Sequence, residues 1–161
     1  MRSYKKPGSI SVQEALNKIQ KYCAWQERCQ SDVIQKLNEY GLAEKDINTV
    51  LKSLIQEKFV NDSRYADAVV RGKHNQNNWG KMKIIHFLKQ KNIDESDINK
   101  ALKSIPEKAY KKTLESLAKA KYASLKDEDS YIRIIKTKKY LYQKGYEIDD
   151  IESSLNKINR K

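Results

Sequence analysis

Two clusters of side chains have the types and spacing to do chemistry: Arg64, Arg71, Lys73, Trp79, Lys81 and Lys83 in mid-chain, and Arg133, Lys136, Lys138 and Lys139 towards the end. The first sets cations beside an aromatic and a polar run from Gly72 to Asn78, the mixture found where a few residues carry a protein interface. The second is a row of cations suited to the phosphates of a nucleic-acid backbone. Both have a structural reading as well. Tyr65 can be core, Arg64 can pair a neighbouring carboxylate, and Trp79 can be packing.

No other residue set offers a reaction. Cys23 and Cys29 match neither a redox pair nor a zinc pair, and both read as reduced thiols, with Cys23 on the apolar side of its helix. His74 and His86 stand too far apart for a helical ligand pair. The acidic clusters Asp127, Glu128, Asp129 and Asp149, Asp150 fall at expected helix starts, where carboxylates complement the helix dipole. There is no Gly-rich phosphate loop and no Ser-His-Asp ordering. The chain reads as a non-enzyme that needs no cofactor or metal. Without an apolar run of membrane-spanning length, or the apolar core of a signal peptide in Met1 to Ile10, a cytoplasmic protein is expected.

The net charge of +12 points to acidic partners, nucleic acid or a protein sitting on it, although lysines also keep a helical surface soluble. Basic residues exceed acidic ones in each third of the chain, so the charge forms no tail. The stretch Leu37 to Leu54 could describe a helix-turn-helix. Its last helix, however, offers a mixed-charge face rather than the Arg, Asn or Gln that read base edges.

The elements that must position these residues are helical. Five Gly and two Pro in 161 residues, with no sustained alternation, leave strands poorly supported. Ser11 to Glu14 form a capping box, Ser31-Asp32 is expected to cap a second helix, and Asn61 or Asp62 a fourth, with Phe59 packing back on it. That fourth helix is expected to end near Lys73 and give way to a loop. Pro106 suits a first helical position.

A pattern then recurs. Leu37, Gly41, Leu42, Asp46, Ile47 and Leu51 return as Leu88, Asn92, Ile93, Asp97, Ile98 and Leu102, and again as Leu141, Gly145, Tyr146, Asp150, Ile151 and Leu155. Asn92 is the other residue type that tolerates the left-handed turn glycine makes. The expectation is an all-α protein of nine helices. A disordered lead-in occupies residues 1–10, followed by three-helix modules over 11–58, 59–105 and 106–161 in an elongated, curved array. Small modules bury little surface alone, so neighbours should lean on one another.

Phe59-Val60-Asn61-Asp62, Arg64-Tyr65-Ala66, Trp79-Gly80-Lys81, Ile84, Leu88, Lys91-Asn92-Ile93-Asp94, Ile98 and Ala101-Leu102, set in this frame, resemble the RecX family of bacterial proteins that regulate the RecA recombinase. The similarity runs from about Ser11 to the C-terminus and is weakest over Lys108 to Glu128. Asn92 stands where the family commonly has Gly, and Met1 to Ser9 has no counterpart. The resemblance implies a monomeric, non-catalytic protein of recombinational repair and the SOS response. It would dock in the groove of the RecA filament on single- or double-stranded DNA and restrain ATPase, strand-exchange and repressor-cleavage activities. The alternative is a non-specific DNA-binding module acting through phosphates.

Overall fold

In a computed structural model, residues 10–159 are described and contain nine α-helices and no strand. They are α1 (Val12–Trp25), α2 (Gln30–Glu39), α3 (Glu44–Gln56), α4 (Asp62–Asn77), α5 (Lys81–Gln90), α6 (Glu95–Leu102), α7 (Glu107–Ser124), α8 (Ser130–Lys144) and α9 (Ile148–Asn159). The closely packed helix pairs fall within the triplets α1–α3, α4–α6 and α7–α9.

The start signals act as their chemistry requires. Ser11 Oγ accepts from the Glu14 amide at 3.1 Å, Asn61 Oδ1 from the Arg64 amide at 2.8 Å, and Asp129 Oδ1 from the Tyr131 amide at 2.8 Å. The recurring turn is also the same in every triplet. Gly41, Asn92 and Gly145 have φ of 77°, 57° and 91°. In each case the following amide, of Leu42, Ile93 or Tyr146, bonds back to the carbonyl of Leu37, Leu88 or Leu141 at 3.2 to 3.4 Å. Three left-handed caps thus close three equivalent helix ends.

Apolar burial is less evenly shared than the repeat. One cluster gathers Ala15, Ile19, Val33, Leu37, Val50 and Leu54 inside the first triplet, whereas a second runs continuously from Tyr65 and Val70 through Ile84, Leu88 and Ile98 to Tyr110, Leu141, Tyr146 and Ile151. The second and third triplets bury one core between them.

Several local expectations are corrected. α4 continues a full turn past Lys73 to Asn77, because His74, hidden in a polar run, is 6% exposed and extends the buried face. The N-cap of α2 is Cys29, with Ser31 and Asp32 inside its first turn. Phe59 packs on the first cluster, and Pro106 is the N-cap of α7, one position earlier than expected. Ile10, grouped with the lead-in on sequence, donates its amide to the Tyr40 carbonyl at 3.3 Å and packs on the first cluster. Residues 1–9, the rest of the expected disordered lead-in, lie outside the described residues.

Candidate partner interface around Trp79

The first turn of α4 faces backwards. With Asn61 capping the helix, Asp62 accepts from the Gln30 amide at 2.9 Å and from Gln30 Nε2 at 3.0 Å, so a carboxylate of the second triplet caps α2 of the first. Burial outweighs these bonds and holds the Asp62 carboxyl above its ordinary range. Ser31 Oγ donates to the Lys91 carbonyl at 2.8 Å, and Lys91 Nζ meets Asp32 at 2.6 Å. Arg64 belongs to the same joint. Its Nε donates to Glu27 at 2.6 Å and its Nη2 to the Lys58 carbonyl at 3.0 Å. As both charges are part-exposed, the pair is worth about 0–1 kcal/mol.

The motif Trp79-Gly80-Lys81 forms a second joint, in which the N-terminus of α5 meets the C-terminus of α8. The amides of Gly80 and Met82 donate to the carbonyls of Lys144 and Gly145 at 2.8 and 3.0 Å, opposing two helix dipoles favourably. The approach is so close that a Cβ on Gly80 would lie 2.2 Å from the Gly145 oxygen, and one on Gly145 would lie 2.3 Å from Lys83 Cβ. Glycine is required at both positions.

Around this contact, the Lys81 amide donates to the Tyr110 hydroxyl at 3.0 Å, and that hydroxyl donates to Glu147 at 2.6 Å. Burial, then the bond to Glu147, pushes the Tyr110 phenol well above its usual range. Tyr146 donates to the Asn78 carbonyl at 3.3 Å and stacks at 5.1 Å on Tyr110, which is 5.6 Å from His74. His74, Tyr110, Tyr146 and Glu147 thus build the joint, a role the sequence reading did not give them. Polar aromatics at core positions of α4 and α7 were the available signal.

Trp79 wedges into the side of the joint, edge-on to Phe87 at 5.9 Å. Lys73 Nζ lies 4.9 Å and Lys83 Nζ 4.6 Å from the centre of its ring. Lys81 Nζ instead sits over Tyr110 at 4.4 Å and pairs with Glu107 at 3.2 Å. Arg71 is exposed on α4. Of the six mid-chain candidates, Lys73, Trp79 and Lys83 are therefore gathered in one place, while Arg64 and Lys81 are tied into the two joints, as is Lys83, whose Nζ also donates to the Gln143 carbonyl at 3.3 Å.

The four candidates on α8 are mostly engaged. The Arg133 guanidinium stacks 3.7 Å from the Tyr122 ring and donates twice to the Tyr122 carbonyl, completing the end of α7. Lys136 pairs with Glu128 and Lys138 with Glu152, whereas Lys139 makes no ion pair among the described residues. The described residues contain no group of three metal-ligating side chains and no helix long and apolar enough to cross a membrane. Burial raises the Cys23 thiol to about 11, and Cys29 is fully buried against the second cluster.

Comparison with known proteins agrees with this architecture. Residues 61–102 match the family model for the second three-helix domain of RecX, and residues 107–155 match that for the third. The regulatory protein RecX of Clostridium tetani is 32% identical over 133 residues, covering 81% of this chain and 61% of that protein. That of Caldanaerobacter subterraneus subsp. tengcongensis is 28% identical over 148 residues, covering 91% and 72%. The chain spans about half the length of some relatives, 46% for the Oceanobacillus iheyensis protein. A crystal structure of regulatory protein RecX superposes with a TM-score of 0.82 at 27% identity, covering 90% of this chain and 71% of the other. RecX from Lactobacillus salivarius shares the fold with a TM-score of 0.82 at 24% identity, covering 93% and 97%.

Proposed function

The chain belongs to the RecX family, and from that premise we propose that it is a regulator that docks on the RecA filament and restrains its ATPase, strand-exchange and repressor-cleavage activities. The observation that carries this reading is the pair of ammonium groups held over Trp79 at a seam fixed by backbone hydrogen bonds. A filament presents its subunits at a set spacing, and a body whose triplets are fastened to one another by hydrogen bonds can match that spacing with a smaller ordering cost than freely jointed modules. Lys73, Trp79, Lys83 and exposed Arg71 supply the contact. Arg64 and Lys81 act one step back, by holding the joints.

Titration of the protein into preformed RecA filaments, with DNA-dependent ATP hydrolysis and bare-DNA binding followed in one buffer, tests the reading. Hydrolysis is expected to fall at concentrations too low to cover the DNA. If it falls only as bare DNA saturates, competition for phosphates suffices. That is the second reading, a non-specific DNA-binding module favoured by the charge of +12. Such binding would weaken steeply with salt, which a packed protein interface does less.

A further inference from the structure

The chain crosses from the first triplet to the second in a single step. Val60 is 2% exposed in the first cluster, and its amide, like that of Phe59, bonds back to the Leu54 carbonyl. Asn61, the next residue, already caps α4. Two backbone torsions, ψ of Val60 and φ of Asn61, therefore join two ends that are each fixed. Asn61 lies in the extended region, with φ −152° and ψ 111°, where the backbone has wide latitude.

Little apolar packing spans that step. Among the described residues, Cys29 is the one buried first-triplet side chain in the second cluster, whereas the second and third triplets share that cluster from Tyr65 to Ile151. A cleft of about 420 Å³ runs along the boundary, walled by Gln26 and Glu27 at the end of α1 and by Val69, Lys73 and Gln76 of α4. The facing sides of these helices are thus left unpacked, unlike the seam at Gly80 and Gly145, which leaves no room for a Cβ. What holds the boundary is polar: Asp62 with Gln30, Arg64 with Glu27, and Lys91 with Asp32 and Ser31. Water replaces such bonds when they part, so they latch one orientation without the cost of exposing a core.

We propose that the first triplet is a hinged arm, which swings as a unit about the Val60–Asn61 step on a rigid body made of the second and third triplets. The structure shows the latched position. Release of the bonds at Asp62, Arg64 and Lys91 frees the end of α1 from α4 and changes the width of the cleft. Lys73 stands on the wall of that cleft and 4.9 Å from the Trp79 ring, so the position of the arm sets how far a partner reaches this cation. The arm adapts to what is bound while the body keeps its register. The hinge itself does not depend on the filament reading.

The test is pulsed dipolar distance measurement between spin labels on the full chain. Asn17→Cys on α1 with Lys100→Cys on α6 spans the hinge, and Lys100→Cys with Lys119→Cys on α7 spans the second joint, all at exposed positions. Cys23 and Cys29 are buried, and the parent chain serves as the labelling blank. The distance distribution across the hinge should be at least about twice as wide as that across the second joint. Asp62→Ala and Arg64→Ala, which leave the Asn61 cap in place, should each widen the first distribution further and leave the second unchanged. Equal widths for the two pairs overturn the proposal, as does a distribution across the hinge that neither variant alters. Widening accompanied by lost exchange protection at Leu37 and Leu54 would mean that the first triplet unfolds instead of swinging, and would overturn it equally.

Discussion

Thr137 faces the interior of the third triplet with no exposed surface, and its hydroxyl has no hydrogen-bond partner. A buried, unpaired hydroxyl is costly and valine has the same shape, so Thr137→Val should raise stability by about 1 kcal/mol in urea denaturation. Gly72 is the opposite case, a glycine inside a helix with nothing within 4 Å of an added Cβ. Gly72→Ala should also stabilise, by about 1 kcal/mol on the same measurement. Neither residue could be interpreted from its type alone. Thr137 stands where the α8 stripe requires something apolar, and a helical glycine announces a close approach as readily as open space. Residues with one dominant local use were legible: Ser11, Asn61 and Asp129 as caps, and Asn92 as a left-handed turn. Arg64 was legible as the partner of a carboxylate but not of which one, and Asp62 and Lys81 were not legible, because the partners of Asp62, Arg64 and Lys81 lie 32, 37 and 26 positions away in the sequence.

At the scale of elements, periodicity identified the helices, and the threefold return of the Leu37 to Leu54 pattern predicted three equivalent turns that the structure makes alike. It could not show which elements would meet end to end. Gly80 reads as a breaker before α5, yet its requirement comes from the Gly145 backbone. Gly80→Ala must push the two backbone segments apart and should cost more than about 2 kcal/mol, a loss on the scale of overpacking in a core. Arg71→Gln with Lys73→Gln removes two cations of the contact and none of the joint's hydrogen bonds. That double variant should melt like the parent while weakening restraint of RecA-dependent ATP hydrolysis, so the pair of experiments separates the seam from the contact it carries.

Over the whole molecule, the two joints differ in kind. The first is chiefly polar, made by Asp62, Arg64, Ser31 and Lys91, with Cys29 the first-triplet side chain that enters the second cluster. The second merges two triplets into one core. Tyr65, Tyr110 and Tyr146 stand at these places, and burial raises the phenols of all three. Their folded-state values lie above the unfolded value of about 10, so the stability they contribute is full below about pH 10 and is lost as pH rises further. Unfolding free energy should therefore drop steeply above about pH 10, with phenolate absorbance appearing together with loss of helical circular dichroism.

The most direct measurement is amide hydrogen exchange at Gly80 and Met82, whose N–H groups bond to the Lys144 and Gly145 carbonyls. If the second and third triplets form one rigid body, both amides exchange only through global opening, as slowly as buried Leu88 and Leu141. Exchange at the rate of an open loop, with Leu88 and Leu141 still protected, would mean that the joint is not closed in solution and that the Trp79 surface has no fixed frame.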